Sequence, residues 1–348
     1  MWVTSDLETA LTPTAIALGN FDGVHRGHQQ VVVPVVNLSK SYEPLNVALP
    51  VPEQQGWVDD ATVSASQEES EITAIKDKNH IYKTVVTFNP HPQEFFTGQP
   101  RKLLTPMAEK VAQLRSLGVE QLVLLPFDRE LADLSPQQFV ETILIEKLQA
   151  NWISVGCDFR FGKERTGTSA DLQAIASSFG IDVSTVPLQT CQGERISSSA
   201  IREALLQGEI TQANRLLGRA YSLTGTVVQG QQLGRTINFP TANLQLPPEK
   251  FLPRQGVYCV RAYGSNLNSL DLPIPAVMNI GKRPTVNGST FTVEVHLLDW
   301  SGDLYGQTLT VSLEQFLRPE QKFDSLDALK EQIQADAAVA KALLTINT

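Results

Sequence analysis

Cysteine is scarce: Cys157, Cys191 and Cys259 stand far apart in 348 residues, odd in number and without a Cys-x-x-Cys pair. That excludes a disulfide framework and makes a reducing setting, the cytoplasm, the expected one. Basic charge is in deficit, with 28 Lys and Arg against 37 Asp and Glu and a formal net charge of −9. Such a balance argues against a nucleic-acid partner. No apolar run is long enough to span a bilayer, and Met1 to Leu11 carries acidic residues with no basic flank, so no membrane partner is expected. Gly-x-x-x-x-Gly-Lys-Ser/Thr is absent, so any kinase here is not of the P-loop kind. The length itself suggests about two domains at roughly 150 residues each.

What is present begins with Leu18-Gly19-Asn20-Phe21-Asp22-Gly23-Val24-His25-Arg26-Gly27-His28, which follows a short apolar run and opens a helix. Glycines let backbone amides approach a phosphate, and a helix start presents free N–H groups with a partial positive charge. His25 and His28, three apart, share a helix face and can both point at that anion. An imidazole pair there can donate to a phosphoryl transition state. The alternatives are a zinc pair, for which no third ligand or adjacent Glu is in view, and two histidines that only cap or pack.

Five apolar runs, Ala15 to Leu18, Thr84 to Phe88, Gln121 to Pro126, Trp152 to Gly156 and Asp182 to Val186, alternate with helical patterns such as Met107 to Leu117, Pro136 to Leu148 and Ala170 to Phe179. That alternation predicts an α/β doubly wound, Rossmann-like domain over 1–203, with ligands beyond the carboxyl ends of its strands. Motifs fall at those ends: Phe88-Asn89-Pro90-His91-Pro92, Pro126-Phe127-Asp128, Asp158-Phe159-Arg160-Phe161-Gly162 continuing to Arg165, and Ile196-Ser197-Ser198-Ser199-Ala200-Ile201-Arg202. The interval 42–80, acidic and poor in apolar residues, reads as a mobile surface insertion. Residues 204–219 read as a helical linker.

From Tyr221 onward short period-two runs succeed one another: Ser222 to Val228, Thr241 to Leu246, Gly256 to Tyr263, Ile274 to Ile280, Phe291 to Asp299 and Gln307 to Phe316. Six strands without helices between them predict an antiparallel barrel over 220–348. A closing helix follows, capped by Asp324 or Ser325, with apolar Leu326, Leu329 and Ile333. Gly230 and Gly234 precede Pro240-Thr241-Ala242-Asn243, whose hydroxyl and amide oxygens are hard donors suited to Mg²⁺. Glu294 alternates with Val293 and Val295. It is either a solvated strand residue or a base for an attacking hydroxyl.

His25-Arg26-Gly27-His28 resembles the His-x-Gly-His signature of nucleotidyltransferases, shared in related form by aminoacyl-tRNA synthetases of the first class. Gly19 to His28, Asn89 to Pro92, Asp158 to Gly162 and Ile196 to Arg202, taken in order, resemble the FMN adenylyltransferase module of the bifunctional riboflavin kinase/FAD synthetase family. Asn89 stands where an acid is more usual and Ser199 where Thr is. The later set resembles that family's riboflavin kinase module: Pro240 to Asn243, Asn279 to Thr285, Glu294 to Asp299, Leu304 to Gly306 and Phe316 to Arg318. Here Asn238 stands where Gly is frequent and Lys282 where Thr is.

The resemblance implies phosphorylation of riboflavin by ATP, then adenylyl transfer from ATP to FMN, with no covalent intermediate. It implies His25 and His28 as catalytic, with Gly19, Asn20, Phe21, Asp22, Gly23, Ser198, Ser199 and Arg202 around ATP. It implies Asn89, His91, Phe127, Asp158, Phe159, Arg160, Phe161 and Arg165 near FMN. In the second module it implies Glu294 as base, Gly230, Gly234, Thr241 and Asn243 at ATP, Thr241 and Asn243 on Mg²⁺, and Arg318 near the flavin. The rival readings are a riboflavin kinase with a silent first domain and a non-catalytic flavin-binding protein. Removal of residues 42–80 is expected to leave both chemistries intact when FMN and FAD formation are assayed on the shortened chain; a large loss of either would contradict that.

Overall fold

The computed structural model describes residues 1–38, 80–230, 239–264, 267, 272–285 and 288–346. The 42–79 part of the acidic interval, Gly234 and Asn238 therefore lie outside the described residues. The described chain divides into two compact units, one ending at Ser198 and the other starting at Ser199.

The first unit is built on β1 (Trp2–Thr4), β2 (Thr14–Leu18), β3 (Tyr82–Asn89), β4 (Gln121–Pro126), β5 (Ala150–Gly156) and β6 (Asp182–Val186). Their order is β1-β4-β3-β2-β5-β6, and neighbours run parallel. Five strands lie where apolar runs predict them. Trp2–Thr4 is the addition, too short to show a period. A parallel sheet is covered on both faces, so its strands are apolar throughout. In β2, Ile16 and Leu18 join one core with Val123 and Leu144, while Ala15 and Ala17 join the other with Val32 and Val35. Those small alanines leave room for α1 (Arg26–Val36) to lie close to the sheet.

From β2 the chain steps to β3 and β4 on one side, whereas β5 and β6 lie on the other. Such a switch point opens a crevice at the carboxyl ends of the two central strands. Gly19 follows one of them and Cys157 the other. The helix expected over Pro136 to Leu148 is instead a single turn, Pro136–Gln138, that widens into π-helical winding over Phe139–Lys147. The amide of Leu148 reaches back five residues to the Ile143 carbonyl at 3.1 Å. Apolar periodicity marks the element without fixing its winding.

The second unit is a closed antiparallel barrel of β7 (Tyr221–Val228), β8 (Ala242–Gln245), β9 (Gly256–Tyr263), β10 (Ile274–Thr285), β11 (Gly288–Leu297) and β12 (Thr308–Arg318). Around the barrel they run β7-β8-β11-β10-β9-β12. Alternation sends Leu223, Met278, Val293, Val295 and Leu313 into the buried interior. Strands β10 and β11 outrun their expected limits because the ladder continues from Gly281↔Thr292 to Thr285↔Gly288. Backbone pairing there needs no apolar signal. Gly225 is obligatory: a Cβ would stand 2.6 Å from the Gln245 carbonyl oxygen of the facing strand.

Two short helices, α2 (Ser198–Gln207) and α3 (Ile210–Leu217), lead into the barrel. The Asn214 side chain fastens the second of them, donating to the Leu313 carbonyl at 2.8 Å and accepting the Tyr221 amide at 2.7 Å. The closing helix α4 (Leu326–Ile346) starts at Ser325, whose Oγ accepts the Ala328 amide at 3.1 Å. Its inward residues Ala340 and Leu344 pack on Val257, Cys259, Val277 and Leu298 of the outer barrel wall. Leu326 is instead 65% exposed, because the helix has not yet reached the wall at its first turn. Leu344→Ala is expected to cost about 2–3 kcal/mol, and Leu326→Ala less than about 0.5 kcal/mol, in denaturant unfolding of the full chain.

Candidate functional sites

The turn after β2 is held from every side. Asp22 is 3% exposed, and its Oδ1 accepts the Leu104 amide at 2.9 Å. The Gly23 amide donates to Thr105 Oγ1 at 2.9 Å, and Ser198 Oγ donates to the Asp22 carbonyl at 2.7 Å. The Asn20 carbonyl accepts from Thr87 Oγ1 at 3.0 Å and from the Lys110 ammonium at 3.2 Å. These bonds hold a backbone that passes through positive φ at Phe21 (50°), Gly23 (91°) and Val24 (40°). Side-chain-bearing residues adopt such angles only where their surroundings over-determine them.

That turn delivers His25 to the N-cap of α1. Its Nδ1 accepts the His28 backbone amide at 3.2 Å, so the ring proton of neutral His25 resides on Nε2. The two imidazoles stack at 3.6 Å between centroids, 12° from parallel, with Phe21 against His28 at 5.2 Å. Gly27 makes this stack possible, since a Cβ there would press on His25 Cε1 and Nδ1 at 3.2 Å. Among the described residues no three His, Cys, Asp or Glu side chains gather as a metal nest.

His91 caps the helix Pro92–Thr97, its Nδ1 accepting the Gln93 amide at 3.1 Å while Glu94 closes a capping box. Burial, helped by the Arg101 charge, pulls its pKa down to about 4, and the fields of Asp22 and Lys110 reach it. His91 therefore belongs with the β2 turn and is neutral at pH 7. Phe127, whose amide donates to the Asn89 carbonyl at 3.1 Å, is the hub of a cluster of rings. Phe88, Phe95 and Phe96 lie 5.6, 5.4 and 5.8 Å from it, edge to face. Such a cluster suits a flat aromatic ligand.

Beyond β5, Asp158 pairs with Arg195, and Arg160 and Arg165 are exposed. Phe161 departs from its expected role: it is 4% exposed, a core ring set on Phe139 and Phe159. Alternation along the ribbon Arg160–Phe161 turns the arginine out and the ring in. Phe161 thus packs on Phe159 from the core side. Ser199 and Arg202 belong to the second unit, where the Arg202 guanidinium lies 5.5 Å from the Phe251 ring centre.

In the barrel, register assembles the site. Asn243 lies directly opposite Glu294, and Glu294 directly opposite Asn279. Paired residues share a face, so the three stand in one row on the outer wall, away from buried Val293 and Val295. Val228 pairs with Asn243 on the other side, and a Cβ on Gly230 would collide with the Asn243 amide at 2.6 Å from its Cγ. Thr241 immediately precedes β8. His296 Nδ1 donates to the Pro240 carbonyl at 2.8 Å, with Phe239 against its ring at 5.5 Å.

Asn279 Nδ2 also donates to Glu320 Oε1 at 3.3 Å. Arg318 is tied to helix α4, donating to Asp336 from Nη2 at 2.7 Å and from Nε at 3.1 Å, with Nη1 on the Pro319 carbonyl. Its guanidinium is thus engaged by the protein itself. The sequence pattern did not assign Asn279, His296 or Lys110; the first two sit in quoted motifs, and only pairing across strands reveals them.

A model of riboflavin kinase matches residues 217–344, and one of FAD synthetase matches 7–52 and 70–200. The bifunctional riboflavin kinase/FMN adenylyltransferase of Escherichia coli K12 is 37% identical over 327 residues, 94% of this chain and 91% of that one. Those of Haemophilus influenzae and Bacillus subtilis are 36% and 33% identical, over 94% and 93% of this chain and 93% and 90% of theirs. A solved structure from Streptococcus pneumoniae, described as a macrolide-efflux protein, superposes with a TM-score of 0.75 at 29% identity, covering 97% of this chain and 98% of that one.

The folded-state pKa of His91 lies below the usual 6.5, so unfolding takes up a proton between those values and stability falls as pH drops from about 6.5 to 4. Replacement by Asn, which keeps an N-cap oxygen, is expected to reduce the loss of thermal midpoint between pH 7 and pH 4; an undiminished loss would contradict this. With both modules matched in chain order and relatives aligned over nearly the whole length, the chain belongs to the bifunctional riboflavin kinase/FMN adenylyltransferase family.

Proposed function

We propose that the chain carries its two chemistries on separate sites, phosphorylation of riboflavin within 220–348 and adenylyl transfer to FMN within 1–203, with 204–219 as the link. The pairing of Glu294 with Asn243 is the observation that carries this reading. A carboxylate beside an amide oxygen and the Thr241 hydroxyl suits base and phosphate site together. Glu294 takes the proton of the terminal ribityl hydroxyl as that oxygen attacks the γ-phosphorus of ATP, and ADP leaves. Gly230, with no side chain, leaves the Asn243 amide its space, and Gly234 is likewise assigned to ATP. Arg318, through Asp336, fixes the segment beside the flavin.

Thr241 and Asn243 would hold Mg²⁺. Two neutral hard donors fit a cation that completes its shell with phosphate oxygens and water, and Mg²⁺ supplies neutralisation of the charge that spreads over the phosphates. In the first unit a phosphate oxygen of FMN attacks the α-phosphorus of ATP and pyrophosphate departs. His25, with its proton on Nε2, and His28 donate to that phosphoryl group. Asn20, Gly19, Phe21, Asp22 and Gly23 shape the phosphate turn, with Ser198 assigned to ATP; Ser199 and Arg202, which the resemblance also implies for ATP, fall in the second unit. Phe127, Phe159, Asn89, His91, Asp158, Arg160 and Arg165 are assigned to the flavin and its phosphate.

The three unpaired cysteines support a cytoplasmic setting. Among the described residues no helix is long and apolar enough to cross a membrane. Glu294→Gln is expected to lower FMN formation by about 10²–10⁴-fold while adenylylation of supplied FMN stays within about twofold. His28→Ala is expected to do the reverse, by about 10²–10³-fold. Equal loss of both steps in either variant would sink the separation of sites.

A further inference from the structure

Lys110 is 7% exposed. It shares the buried stripe of the helix Met107–Ser116 with Leu114, a position that ordinarily takes an apolar side chain. Burial pushes its amine below the usual range, and the Asp22 carboxylate opposes that shift. A buried ammonium persists only where a partner compensates lost hydration. Here the partner is the Asn20 carbonyl, at 3.2 Å from Nζ.

Thr87 Oγ1 donates to the same carbonyl at 3.0 Å, so both of its lone pairs are committed inward. Because the peptide is planar, fixing that carbonyl fixes the whole Asn20–Phe21 unit. Phe21 is the residue at φ 50°, and Asn20, whose carbonyl is pinned, is itself exposed. Apolar side chains of similar length would leave Thr87 as the single donor. Glutamine would restore a donor without the charge, and only Lys or Arg supplies both.

We propose that Lys110 is a positioning residue for adenylyl transfer: through the Asn20 carbonyl it fixes the turn that presents Asn20 and the histidine pair, and its charge draws the ATP phosphates to that turn. The proposal rests on the assignment of adenylyl transfer to the first unit. Its charge is also felt at His91, where Lys110 and Arg101 disfavour the imidazolium while Asp22 and Glu94 favour it. That coupling gives a readout independent of turnover.

The test uses the full chain with Lys110→Gln, Lys110→Met and Lys110→Arg. Adenylylation of FMN is measured with ATP varied, riboflavin phosphorylation is measured on the same preparations, and His91 is titrated by NMR. Gln and Met are expected to lower kcat/KM for ATP in adenylylation by about tenfold or more, with phosphorylation within about twofold. The His91 midpoint should rise in both and stay low in Lys110→Arg, which should recover part of the activity. Gln, one atom shorter, keeps an N–H donor without the charge, so it carries the test if Met unfolds the unit. Adenylylation within twofold of the parent chain in Lys110→Gln, or an unmoved His91 midpoint, would overturn the proposal. Absence of adenylylation in the parent chain would instead defeat the assignment on which it rests, and the His91 titration would still judge the coupling.

Discussion

Asp22 is the tie on which the turn after β2 depends. Its carboxylate receives the Leu104 amide, while its own carbonyl receives Ser198 Oγ. On either side of those anchors the chain crosses the left-handed region at Phe21 and Val24, conformations that cost of order 1–3 kcal/mol each. Folding supplies that energy in advance, so the amides and imidazoles need no rearrangement when a charged ligand arrives. The histidine stack is the outcome: a helix N-cap made by one imidazole, and the second laid upon it by the 3.6-residue repeat.

The barrel reaches the same end by register. Asn243, Glu294 and Asn279 occupy one row because β8, β11 and β10 pair residue for residue. A slip of one position would turn Glu294 inward among valines. Interior packing of Val293 and Val295 therefore fixes the carboxylate's direction. The row lies on the outer wall, where the hydrogen bond from His296 to the Pro240 carbonyl fastens the segment that leads into β8.

Much of this was legible in the residues. Alternating apolar runs gave five of the six parallel strands, and period two gave the barrel, because both signals come directly from burial. The histidine turn was legible because glycine and helix-start chemistry are local. Phe161 was not: an aromatic inside a ligand-like motif looks the same whether its ring faces the core or the crevice. The tie of Arg318 to α4 was hidden for the opposite reason, since its partner Asp336 lies 18 residues away on another element. Lys110 carried a signal, a cation on an apolar helical stripe with Met107, Val111 and Leu114. Such a cation is usually taken for a surface residue.

The central claim is that one chain holds two preset phosphate sites that act in sequence on one flavin. Incubation of the purified full chain with riboflavin, ATP and Mg²⁺, followed by chromatography over time, tests it most directly. FMN should appear first and then give way to FAD. Accumulation of FMN alone, or riboflavin left unchanged, would contradict the account.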